Sequence, residues 1–527
     1  MFDVLIENGR ILDGAGNPWF RGDIGIRGGK IAQIGSLKKE QAAERIDASG
    51  LAVAPGFIDI HSHSDVVPLM ASQDTGKILQ GVTTEVVGVC GVTVTPFSPK
   101  NIELLKKYCA PFFTGANLTW DWPEVKDFLQ AVEKARPIVN FGMFAGHGTI
   151  RIAVMGFEDR DPTAAELEQM KELAVRAVEQ GAFGMSSGLV YPPGIFAKPG
   201  EIIEICRAIA DAGAIYESHI RNETDGVAEA VSEAIEVAEK AGIPVQIAHH
   251  KTAGIRNWGK SAETLRLIDA ARDRGLDVTF DVYPYVAAST SLVSLLPPWT
   301  HEGGIKKLLG RLESGENRAR ISRELEEGLP GWQNFYKASG WDKIIVSSCR
   351  KNKGYEGKTL LEIAAAKGIG PAEALFDVLL EEDGDVLMVL FMMAEEDVAA
   401  ILRHPAAMIG SDGLYSSGKP HPRYYGTFPR VLGKYVRQDK VLSLAEAVRK
   451  MTSAPARRLG LKDRGLLLEG MAADIVAFDP ATVEDRATYM DPQQPPVGIE
   501  YVLVNGQVAV RRGEYTGVLA GKVLRKK

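Results

Sequence analysis

The middle of the chain alternates apolar, strand-like runs with helical stretches eight times, and that rhythm leaves few folds open. The runs are PGFIDIH, TTEVVGVC, VNFGMFAGH, FGMSSGL, AIYESHI, VQIAHH, DVTFDVYPY and AMIGSDG. Between several of them lie amphipathic helical stretches with recognisable ends. One runs from Thr163 to Gly181, with Thr163 and Glu166 at capping-box spacing, and residues 226–242 repeat the pattern. Eight β runs alternating with helices predict an α/β fold, a (β/α)8 TIM barrel, whose chemistry sits where the strands end.

The two chain ends read differently. FDVLIENG, DIGIRGGKIAQIG and GLAVAPG at the start, and ADIVAFDP and GIEYVLVNGQVAV near the finish, are short alternating strands separated by glycine-rich turns, with Asn505-Gly506 a strong hairpin signal. Each set is too small to stand alone, so residues 1–54 and 464–527 are expected to pair as one small β-sandwich domain. Residues 55–463 then form the barrel. One section breaks its rhythm: residues 290–406, between the seventh and eighth runs, carry helical segments and the strand-like DKIIVSSC, and read as a long insertion, a lid or specificity element at the catalytic rim.

Composition narrows the partners. A formal charge of −7 and a pI near 5.9 offer no basic field for phosphates, which argues against nucleic acid and favours a small-molecule substrate. No apolar run approaches the roughly 20 residues that span a bilayer. The N-terminal stretch MFDVLIENGRILDG has no signal-peptide pattern, and four scattered cysteines make no disulfide framework, so a cytoplasmic protein is expected. A homo-oligomer stays open.

The sharpest local signal is GFIDIHSHSD, where His61 and His63 stand two apart at the end of the first run, on one side of a period-2 strand. Cys90, His219, His249 and Asp412 lie at later run ends. Each has an ordinary explanation taken singly: a buried apolar thiol, a hydrogen-bonded core histidine, a turn aspartate. A barrel brings all strand ends to one mouth, however, so six donors from runs one, two, five, six and eight would share a single site. That joint placement predicts a metal centre.

These residues sit in HSHSD, VCGV, GHGTIR, GLVYPPG, ESHIRNE, AHHK, DVYPY, GSDG and HPRYYGTFPRVLG, and the whole pattern resembles the amidohydrolase superfamily, within it the N-acyl-D-amino-acid deacylases. The resemblance covers essentially the whole chain. It implies that Cys90, His219 and His249 hold one tightly bound zinc, with His61 and His63 forming a weaker second position that shares Cys90 and Asp412. A Cys/His₂ set leaves the fourth tetrahedral position open, as a catalytic zinc requires. Of the adjacent His249 and His250, alternation sends only one inward, and His249 is the expected ligand, with Lys251 beside it.

An amide nitrogen leaves only once protonated, so the site needs a proton carrier, and Asp412, flanked by small residues in GSDG, is the expected one. The free carboxylate of an N-acyl amino acid needs a cationic fork, for which Arg423 is suited. The resemblance adds Lys251, Tyr191, Tyr283 and Ser289 as substrate contacts, and it alone carries the preference for D-amino acids. His147 in GHG reads as a turn or substrate contact of no catalytic rank. The rival readings are a cyclic-amide hydrolase of the hydantoinase or dihydroorotase kind, against which Cys90 and HPRYYGTFPRVLG speak, and a non-catalytic scaffold on the same fold, against which the full ligand set speaks.

Overall fold

The computed structural model describes residues 1–113 and 118–527. It shows an α/β fold in which the eight apolar runs lie side by side in chain order. Phe57–Asp59, Val82–Val87 and Asn140–Met143 pair in parallel; after Phe144 the third run continues as Ala145–Gly146, which pairs with Gly184–Gly188, then Ile215–His219, Val245–Ile247, Val278–Val282 and Ala407–Ile409, all parallel. Just beyond the last strand, Gly413–Leu414 pairs in parallel with Ser62–His63, just beyond the first strand. The last strand end thereby rejoins the first, and residues more than three hundred positions apart become neighbours.

The connecting helices form where the sequence supplies both caps and an apolar stripe. Ala164–Glu179 starts at the reciprocal Thr163/Glu166 capping box, and Val227–Ala241 stops at Gly242, whose φ of +66° suits a left-handed cap. The second helix buries Val227, Ala230, Val231, Ala234, Ile235 and Ala238 at helical spacing. Each buried valine or isoleucine contributes about 1.5–3 kcal/mol against leaving it in water, which is what clamps the helices onto the strands.

Both chain ends build one nine-stranded sheet. Ala52–Pro55 pairs in parallel with Phe2–Ile11 and antiparallel with Ile475–Phe478, so the N-terminal and C-terminal strands meet in its middle. Asn505 and Gly506 both take positive φ between Ile499–Val504 and Gln507–Arg511, the backbone a tight hairpin requires. This sheet has its own apolar cluster, including Ile6, Ile24, Ile26, Ile31, Val53, Ile475 and Leu503.

Within 290–406 the strand-like DKIIVSSC becomes Ile344–Cys349, but it is an edge. The centre of a three-stranded antiparallel sheet is Val386–Phe391, with Ala287–Ser291 on its other side. VLMVLF is an unbroken apolar run, and six such residues fit a buried strand or a buried helix equally well by periodicity. Among the described residues no helix is long and apolar enough to cross a membrane.

Candidate metal centre and substrate pocket

The strand ends deliver their donors through unusual backbone. Cys90, His249 and Asp412 have φ of +53°, +32° and +49°, three non-glycine residues in the left-handed region. Such conformations cost on the order of 1–3 kcal/mol each and persist where the surroundings dictate them. The surroundings here include glycines that nothing larger could replace. A Cβ on Gly188 would lie 2.3 Å from the Cys90 carbonyl oxygen, and one on Gly410 would lie 2.6 Å from the Cβ of His61.

Four donors thus meet. Cys90 Sγ lies 3.4 Å from His61 Nε2 and 3.3 Å from His249 Nε2. Asp412 Oδ1 lies 3.5 Å from His61 Nε2 and 3.2 Å from His63 Nε2. One donor atom from each of His61, Cys90, His249 and Asp412 lies within 4.8 Å of all the others, and all four residues are buried. His219 stands in an adjoining set with Glu223 and His249, its ring centroid 4.3 Å from that of His249. His63 reaches the cluster through Asp412. Among the described residues His61, Cys90, His249 and Asp412 form one close donor set and His219, Glu223 and His249 a second, with His249 common to both.

His250 turns away, its Nε2 2.9 Å from Thr264 Oγ1 and its ring against Phe280. His147 pairs with Glu201 at 2.8 Å in the core. Cys109, Cys206 and Cys349 are buried, unpaired thiols.

Beneath the donors lies a layer of carboxylates that sequence reasoning did not single out. Asp281 Oδ1 sits 3.1 Å from His61 Nδ1 and accepts from the His249 backbone N–H at 2.9 Å. Glu217 Oε2 accepts from the Cys90 N–H at 3.1 Å. Asp59 accepts from Lys77 Nζ at 2.6 Å and from the Ser411 N–H at 2.8 Å, tying the first strand end to the eighth. Glu223 takes Lys251 as its ion-pair partner, and Lys251 Nζ also lies 2.6 Å from His249 Nδ1. Asp281, Glu217 and Glu223 stand inside motifs already quoted, DVYPY and ESHIRNE. Nothing in their spacing marks them, because their partners come from other strands.

The electrostatics follow from burial and these neighbours. Burial holds His63 and His249 below the ordinary imidazole value and His219 down at about 4, so their rings are neutral with lone pairs free for a cation. Burial alone would lower His61, but Asp281, Asp412 and Glu217 together bring it up to about 9. Burial pushes Glu217 up to about 8. Burial would also raise Asp412, yet the Arg423 guanidinium overcomes it and keeps the carboxyl well below the usual range. Both ring nitrogens of His219 are buried without a hydrogen-bond partner. Orphaned imidazole nitrogens, a thiol and a carboxylate in one buried cluster fit a borderline divalent ion such as zinc.

Beside the donors a small hollow is lined by Tyr191, Tyr283, Ser289, Lys251 and Asp412, among others. Arg423 is 1% exposed at the edge of this group; its Nη1 lies 2.8 Å from Asp412 Oδ2, Nη2 donates to the Ser289 carbonyl at 3.1 Å, and the guanidinium sits 4.7 Å from the centre of the Tyr283 ring. Nη1 is placed as an ion pair without hydrogen-bond alignment, and both it and Nε lack a hydrogen-bond partner, as does the Tyr283 hydroxyl. A buried polar group left unpaired costs about 1–3 kcal/mol, so these donors mark where an anionic ligand would be welcome.

The sequence matches the profile described as "Amidohydrolase family" over residues 44–288 and 346–510. It is 39% identical to a D-aminoacylase of Alcaligenes xylosoxydans xylosoxydans, over 99% of this chain and 97% of that protein. It is 38% identical to an N-acyl-D-glutamate deacylase of the same organism, over 96% and 93%. Among solved structures, an N-acyl-D-glutamate deacylase from Bordetella bronchiseptica, complexed with zinc and a phosphonate inhibitor that mimics the reaction's tetrahedral intermediate, matches with a TM-score of 0.83 at 36% identity, covering 99% of both chains.

Proposed function

The chain belongs to the amidohydrolase family, and on that premise we propose that it hydrolyses the amide bond of N-acyl-D-amino acids, releasing a carboxylic acid and a free D-amino acid. The observation that carries this reading is the convergence of Cys90, His61, His249 and Asp412 within 4.8 Å, next to a buried arginine with unpaired donors. We read the ring of parallel strands as a (β/α)8 barrel, the terminal sheet as a β-sandwich domain of residues 1–54 and 464–527, and 290–406 as an insertion over the mouth. Four unpaired cysteines fit a reducing compartment, and we place the enzyme in the cytoplasm.

Cys90, His219 and His249 would hold the tightly bound zinc, and His61 and His63 a weaker second ion sharing Cys90 and Asp412. When bound, zinc lowers the pKa of water toward about 7 and polarises a carbonyl. The remaining work falls to side chains. Arg423 takes the substrate carboxylate on Nε and Nη1, with Tyr283 and Ser289 flanking it and Lys251 and Tyr191 completing the pocket. Asp412 takes a proton from the attacking water and passes it to the amide nitrogen, which otherwise cannot leave. The two roles are linked. A carboxylate seated on Arg423 competes for the cation that holds Asp412 so acidic, so substrate binding makes Asp412 a better proton acceptor. Asp281 and Glu217 fix the ring of His61 and the backbone of Cys90 and His249, which keeps the donors in place before substrate arrives.

The test is metal analysis of the purified protein together with a turnover screen of N-acetyl D- and L-amino acids against hydantoins and dihydroorotate. Stoichiometric zinc with turnover of the D series supports the reading. Faster turnover of the cyclic amides, or protein with neither metal nor activity, overturns it.

A further inference from the structure

A second cavity lies next to the site and takes no part in the chemistry above. It is walled largely by Leu104, Tyr108, Phe157, Val293, Ile305 and Leu308. Its lysine and aspartates keep to the rim, Lys107 and Asp383 exposed and Asp385 half-buried, while the one lining histidine among the described residues, His301, is buried. Two aromatic residues, Phe112 and Tyr191, line both this cavity and the site cavity. The Phe112 ring stacks against His63 at 6.5 Å and the Tyr191 ring packs edge-on against His219 at 4.8 Å. The two hollows therefore share a wall, and that wall touches the donor cluster. The backbone joins them too: Ser289 and Thr290 line the site cavity, whereas Ser291, Val293 and Ser294 line the second.

The direction of a bound substrate follows. Arg423, Tyr283 and Ser289 belong to segments that follow the seventh and eighth strands, and Phe112 and Tyr191 to segments that follow the second and fourth. A substrate with its carboxylate on Arg423 and its amide carbonyl over the donor cluster points its acyl group across the cluster, at the Phe112–Tyr191 wall. We infer that the second cavity receives the acyl chain and that the preferred substrates carry a long, apolar N-acyl group; this rests on the amide-hydrolase reading of the site. Among the described residues the interior lining carries no charged side chain, since burial holds His301 down at about 4, and its polar groups, on Tyr108, Ser291, Ser294 and His301, are set among apolar side chains whose surface methylenes would cover. Each methylene taken out of water is worth about fourfold in kcat/KM, the equivalent of about 0.8 kcal/mol.

The experiment compares N-acetyl-, N-hexanoyl- and N-decanoyl derivatives of one D-amino acid on the zinc-loaded full chain. The expected result is a rise of at least about tenfold in kcat/KM from acetyl to hexanoyl, carried mainly by KM. Val293→Trp and, separately, Ser294→Phe place bulk in the cavity from half-buried wall positions, and each should bring the hexanoyl-to-acetyl ratio close to one. Reading that ratio within each protein cancels any loss of folded enzyme. A flat or falling chain-length series in the unmodified enzyme overturns the inference while leaving the N-acyl-D-amino-acid reading intact. So does a gain that follows the amino-acid side chain, from D-alanine to D-norleucine at fixed acetyl, and that Val293→Trp abolishes, since the cavity would then hold that side chain. No turnover of any N-acyl-D-amino acid, acetyl included, would remove the functional reading itself and the inference with it.

Discussion

Replacing Arg423 by methionine removes the guanidinium paired with Asp412 while keeping most of the side chain's bulk. In the structure the guanidinium is 1% exposed, pairs with Asp412 at 2.8 Å and has two nitrogens without hydrogen-bond partners. A hydrogen bond to a charged group contributes about 1.5–3 kcal/mol, so two bonds to a substrate carboxylate, less the existing pull of Asp412, leave about 3 kcal/mol. That is about a hundredfold in kcat/KM. The assay is a four-way comparison in which N-acetyl-D-amino acid and its carboxamide are each given to the unmodified enzyme and to Arg423→Met. The unmodified enzyme should prefer the carboxylate by about a hundredfold, and the variant should barely distinguish the two. Breaking a buried ion pair also costs about 3–5 kcal/mol of stability, so the folded fraction is measured alongside, and Arg423→Lys, which keeps the charge without the planar fork, should fall between. If the variant preserves the full preference for the carboxylate, Arg423 does not bind it and the clamp is wrong.

Asp412→Asn should lower kcat by about 10²–10⁴ with little change in KM, and near-normal turnover would remove its role as proton carrier. Gly188→Ala should reduce bound zinc per chain while leaving the circular dichroism spectrum unchanged, because its Cβ would fall 2.3 Å from the Cys90 carbonyl oxygen and push that residue away; full zinc occupancy would contradict this. Burial holds Lys450 down at about 8 against an ordinary 10.5. The unfolded chain therefore binds the extra proton between those values, and the stability penalty, complete below pH 8, fades as the pH rises toward 10.5. Denaturant midpoints should rise across that window in the unmodified protein relative to Lys450→Met, and parallel curves would refute it.

How far the sequence leads is clearest residue by residue. His61 and His63 announce themselves because period-2 geometry and a run end are both visible in HSHSD, and the eight runs order themselves because parallel strands need long connections. Alternation sends only one of His249 and His250 inward without saying which, so the choice of His249 rests on the resemblance, and the positive φ of His249 is a tertiary effect that no spacing reveals. Asp281, Glu217, Asp59 and Glu223 stay hidden, since a buried carboxylate is justified only by the partner it meets across the fold, and Lys77 and Asp59 are brought together by packing rather than by pattern. Arg423 could be picked as a cation, but its hold on Asp412, eleven positions earlier, could not. The same limit concealed Val386–Phe391, where an apolar run gives no period to read.

The proposed chemistry depends most on one cation lying between Cys90 and the surrounding imidazoles. Anomalous diffraction at the zinc absorption edge from crystals of the purified enzyme measures this directly. A peak about 2.3 Å from Cys90 Sγ and about 2.0–2.1 Å from imidazole nitrogens of the His61, His219 and His249 group is the predicted result. Zinc-loaded crystals with no anomalous peak within bonding distance of that sulfur would contradict it.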